Sequence, residues 1–84
     1  MTRDDFREMN FAEQGMILIS KGKHLTQIKK GNQLLNLYSV EDFFVEVYYS
    51  VLSDKILKIE VITDLSRIDQ YIEERQQEEK LSSN

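Results

Sequence analysis

Glu46 and Glu60 are the carboxylates of this chain best placed by spacing to act as a pair. Each sits in a run of alternating apolar and polar residues, and the two runs are joined by a short polar turn. Cross-strand neighbours on one sheet face approach within about 5 Å, close enough for two carboxylates to share a divalent cation or to serve as acid and base. Lys58 falls on the same face and offers the plainer reading, a charged sheet surface stitched by a cation. Two carboxylates alone make a poor metal site, so no metal or other cofactor is expected. The second acidic pair, Glu41 and Asp42, has the composition of a turn. His24 is the single imidazole and stands beside Lys23 with no partner to orient it, which suits a solvated residue better than a general base. Ser20, Ser39, Ser50 and Ser53 supply hydroxyls, but with no Cys and one His a nucleophile, base and orienting group cannot be assembled. No catalytic residue is assigned, and a non-enzymatic protein is expected.

Charge is more informative than any of these groups. Residues 14–40 contain no acidic residue and carry Lys21, Lys23, Lys29 and Lys30, whereas all 15 Asp and Glu lie outside that stretch. The four Lys define an alternative function, binding of an anion or nucleic acid through the segment 21–30. Against it stand a net charge of −4, the lack of Arg in the segment and the shortage of aromatic partners for bases. Nucleic acid is therefore the less favoured partner. Lys on an edge strand also has a structural use, because it discourages pairing with other chains.

These groups must be positioned by elements that the periodicity outlines. Asn10-Phe11-Ala12-Glu13 has the form of a capping box, and a helix is expected over residues 11–21. Lys21-Gly22 supplies a cation and then a residue tolerant of a left-handed cap; Gly15, unfavourable inside the helix, predicts close packing there. Four strands follow, over residues 24–30, 33–39, 43–50 and 56–62. In the third, Phe43, Val45, Val47 and Tyr49 share one face and Phe44, Glu46, Tyr48 and Ser50 the other; in the fourth, Leu57, Ile59 and Val61 oppose Lys58 and Glu60. A second helix starts near residue 65, carrying Leu65, Ile68, Tyr71 and Ile72 before a run of Glu, Arg, Gln and Lys that can bury nothing.

Eighty-four residues leave room for one domain, residues 1–84, with residues 1–9 and 79–84 expected to be flexible. The fold class is α+β: helix, four-stranded antiparallel β-meander, helix, in a two-layer sandwich; one helix on each face of the sheet would satisfy the same patterns, but both helices on one face is the preferred placement. The other face then stays partly open. The longest apolar run is residues 16–19, far below the roughly 20 residues a membrane span needs, and the charged first ten residues do not resemble a signal peptide. A cytoplasmic protein with no membrane partner is expected.

The stretch Asn36-Leu37-Tyr38-Ser39-Val40-Glu41-Asp42-Phe43-Phe44-Val45-Glu46-Val47-Tyr48-Tyr49, with Lys55-Ile56-Leu57-Lys58-Ile59 after the turn, resembles a strand pattern of short uncharacterised bacterial proteins. The resemblance covers about half the chain and implies a fold with one helix before the meander and one after it in sequence, but no activity. Function is thus approached by elimination. A small domain with an open sheet face carrying Phe44, Glu46, Tyr48, Lys58 and Glu60 is expected to be an interaction or regulatory module, binding a protein partner or forming a homodimer through that face.

Overall fold

A computed structural model describes residues 1–82, with side chains through Glu74. Seven elements follow one another: α1 (Arg3–Glu8), α2 (Phe11–Lys21), β1 (Gly22–Lys30), β2 (Gln33–Val40), β3 (Phe43–Ser50), β4 (Lys55–Val61) and α3 (Ser66–Ser82). The strands form one antiparallel sheet in the order β1-β2-β3-β4, the expected meander of an α+β fold.

Capping fixes both N-terminal helices. Asn10 accepts from the Glu13 amide at 2.8 Å while Glu13 accepts from the Asn10 amide at 3.1 Å, the reciprocal pair that the sequence foretells for α2. The same box recurs between Thr2 and Asp5 and starts α1. Residues 1–9, expected to be flexible, therefore contain a helix, and its Phe6 is fully buried against Phe43 with ring centroids 5.7 Å apart. The expectation for residues 79–84 lies outside the described side chains.

The glycines depart from expectation. A Cβ at Gly15 would meet nothing within 4 Å, so no close packing accounts for that residue. Gly22 is extended, with φ −77° and ψ 142°, rather than left-handed. It is needed because a side chain there would collide with the Leu18 carbonyl as α2 passes directly into β1.

Helices pack on both faces of the sheet. Val40, Phe43, Val45 and Val47 pack with Phe6 of α1 and Leu18 of α2. On the opposite face Ile28, Leu35 and Leu37 pack with Tyr71 and Ile68 of α3, joined by Phe44 and Tyr48. The expectation that both helices share one face is thus corrected: α2 and α3 lie on opposite sides of the sheet. The reason lies in β1 and β2, where Ile28, Leu35 and Leu37 fall on the same side as Phe44 and Tyr48, making an apolar surface too large to leave in water.

Register irregularities explain two puzzles of pattern. A shift between His24 and Thr26 sets Leu25 apart, so Thr26 and Ile28 face the α3 side although strict alternation from His24 would turn them to the other. A second shift pairs Tyr48 with Lys58 but Tyr49 with Ile56, so Leu57 leaves the face shared by Ile59 and Val61 and is exposed.

Candidate interaction surface

The richest polar cluster is built from β3 and α3. Alternation turns Glu46 toward α3, and the carboxylate is 1% exposed. Arg67, in the first turn of α3, reaches it with Nε donating to Oε1 at 2.6 Å and Nη2 to Oε2 at 3.2 Å. Tyr71, one helical turn on, donates its hydroxyl to Oε2 at 2.7 Å, and Tyr48 donates to the same oxygen at 3.4 Å. Arg67 Nη2 also donates to the Tyr48 hydroxyl at 2.8 Å, which ties the four residues into one network. Burial and the adjacent Glu46 carboxylate push the Tyr71 hydroxyl well above the ordinary tyrosine value, and burial with Glu46 raises that of Tyr48. The hydrogen bond and charge of Glu46 hold Arg67 more firmly protonated still.

This cluster fastens α3 to the sheet. Both Glu46 oxygens are occupied by donors, and no buried side-chain nitrogen or oxygen among the described residues lacks a partner. Glu46 and Glu60 are cross-strand partners, yet they serve different cations: Glu60 takes Lys58 at 2.9 Å while Lys58 lies 5.0 Å from the Tyr48 ring centre. The hydrogen bond to Glu60 and its charge raise the Lys58 value. Among the described residues no group of three or more His, Asp or Glu is gathered for a metal ion.

The residues expected to line an interface are therefore divided. Glu46 is buried and Phe44 and Tyr48 are half-buried beneath α3, while Lys58 and Glu60 remain exposed. The face thought open is closed by a helix, and Glu46 is spent on holding that helix. The four Lys are likewise dispersed. Lys23 and Lys30 pair with Ser39 and Gln33 on the α3 side of the sheet, Lys29 pairs with Leu34 on the α2 side, and Lys21 meets Glu41 at 3.5 Å.

An open surface exists on the other side, at the part of the sheet that α1 and α2 do not reach. Gln27, Leu34, Asn36, Tyr38, Tyr49 and Ile56 bound a shallow groove of about 290 Å³ floored by Val47. Its polar part is prearranged. The Asn36 Oδ1 accepts from Gln27 Nε2 at 2.7 Å and contacts His24 Nε2 at 3.0 Å, while Asn36 Nδ2 donates to the Val47 carbonyl at 3.4 Å. The His24 and Tyr38 rings meet edge to face with centroids 5.1 Å apart. His24 is exposed on β1, with Asn36 on β2 and the Tyr38 ring beside it. Met16 and Ile19 of α2 lie exposed on this same side of the sheet.

No family model matches the chain, and no curated protein or solved structure matches it either. The groove must be read on its own chemistry. Sequence reasoning passed over it because Leu34 and Tyr49 look like ordinary inward strand residues and strict alternation turns Ile56 to the face of Lys58 and Glu60; the one available signal was the shared side of Tyr38 and Tyr49, which the short helix α2 cannot span. No helix among the described residues is long and apolar enough to cross a membrane.

Proposed function

We propose that this chain is a small, non-enzymatic interaction module that associates with protein through the open part of its α2-side sheet surface. One observation carries the reading: α3 covers the apolar residues Ile28, Leu35 and Leu37 of one face, whereas the other face keeps Leu34, Tyr49 and Ile56 around a preformed groove. Aromatic and aliphatic side chains on a rigid sheet, flanked by amides already oriented by one another, are the makings of an interface centre with a polar rim. The cluster around Glu46 supports the non-enzymatic part, since its groups are committed to one another rather than aimed into a cavity.

Replacing Leu34 and Ile56 by Ser together tests the reading. The tagged wild-type chain and the folded double variant are compared for the proteins they retain from an extract of the source cells, the chain itself counted among them. Loss of specific partners with the variant is expected. An identical set of retained proteins refutes the reading.

A further inference from the structure

The chain itself carries a segment whose chemistry suits the groove. On the outward side of α3 and the turn that leads into it, Ile72 is 51% and Leu65 67% exposed. Asp69 lies between them at a spacing of four and three residues, and Glu73 follows, both exposed. That side is apolar and anionic. The α2 side of the sheet is its complement, with Leu34, Tyr49 and Ile56 around the groove, Lys29 on the strand beside Leu34, and no carboxylate anywhere from residue 14 to residue 40. Two α2-side surfaces facing each other would instead put Lys29 on both sides of the contact and leave Asp69 and Glu73 outside it, so the arrangement that pairs opposite charges is groove against α3 rather than groove against groove.

Resting on the reading of the groove as an association surface, we infer that its occupant is the outward side of α3 from a second copy of this chain. Leu65 and Ile72 would enter the apolar groove, and Asp69 and Glu73 would approach Lys29. Because the groove and α3 lie on opposite faces of the sheet, a pair of copies cannot satisfy both surfaces of both chains at once. The contact is head to tail, and each docking leaves one free groove and one free helix, so the assembly grows.

Sedimentation velocity of the full chain over a concentration series tests this. The expected result is a mean mass that rises without a plateau at the dimer and falls on adding salt. Ile56→Glu blocks the groove and Ile72→Glu blocks the helix; each variant alone should be monomeric with unchanged far-ultraviolet circular dichroism. Mixed in equal amounts they should form a dimer and nothing larger, since each retains the surface the other has lost. Should either fail to fold, Leu34→Glu and Leu65→Glu supply the same blocks at other positions. A wild-type monomer at every concentration, a plateau at the dimer, or a mixture that stays monomeric overturns the head-to-tail assembly. None of these touches the broader reading of the groove, which falls only if the Leu34 and Ile56 double variant keeps all of its partners.

Discussion

Arg67→Met should cost this domain a large part of its stability, because it removes the cation from a carboxylate that is 1% exposed. Breaking a fully buried ion pair by deleting one partner costs about 3–5 kcal/mol. Here the Arg67 side chain is 41% exposed, so water can reach part of the vacated site, and Tyr71 and Tyr48 still donate to Glu46 Oε2. The expected loss is therefore lower, about 2–3 kcal/mol, which corresponds to a fall in Tm of roughly 10–20 °C for a domain of this size. Urea unfolding followed by circular dichroism at several wavelengths measures it, with an unchanged m-value confirming that the folded and unfolded states keep their compactness. The triple variant Glu46→Leu, Arg67→Met and Tyr71→Phe removes carboxylate, cation and buried hydroxyl together and should recover most of the loss, since a well-packed apolar replacement leaves no orphaned charge. A cost below about 0.5 kcal/mol for Arg67→Met would mean that the pair behaves as a surface ion pair. A triple variant no better than the single one would mean that α3 depends on the charges themselves. Either result would refute the account of the cluster as a buried, satisfied latch.

Gly15→Ala should stabilise the domain by about 0.5–1 kcal/mol, because the site is helical and a Cβ there meets nothing within 4 Å; a lower urea midpoint than wild type would contradict the open space seen at that position. Alkaline pH should weaken the fold through Tyr71 and Tyr48, whose ionisation is raised above the ordinary value of 10.0 mainly by burial. The fold holds their neutral form, so this contribution is whole below about pH 10 and is lost progressively above it. Urea midpoints from pH 8 to 11 should fall more steeply for wild type than for Tyr71→Phe, and the argument fails if all four tyrosines ionise together near pH 10 while the circular dichroism stays native.

Much of the architecture is legible in the chain. The alternation of Phe43 to Ser50 fixes β3 to the residue, and Asn10 with Glu13 fixes the start of α2. α1 escapes because six residues with a single apolar side chain show no period; Phe6 holds it by a tertiary contact that sequence spacing does not report. The side taken by α3 escapes for a related reason. Glu46 looks like a solvent-facing residue in a half-buried strand, and only the geometry of Arg67 and Tyr71 on a helix 21 and 25 residues away turns it into a buried one. The groove is hidden by the register shift at Tyr48 and Tyr49, which sets Ile56 opposite Tyr49 where simple alternation would place a different residue.

The strand order has a consequence for how the chain reaches its native state. Every strand pairs only with its neighbour in sequence, through turns at residues 31–32, 41–42 and 51–54. Each pairing closes a short loop, so the entropic cost of forming the sheet is met in small increments, and a relatively fast folding reaction is expected for a protein so rich in strands. As the chain leaves the ribosome, α1, α2 and the successive hairpins can assemble in the order of synthesis, while α3 emerges after all four strands. Until it arrives, Ile28, Leu35, Leu37 and Phe44 stand uncovered and Glu46 stands without its cation. The interval between completion of β4 and the docking of Arg67 is then the period in which the nascent chain is most open to binding by a chaperone.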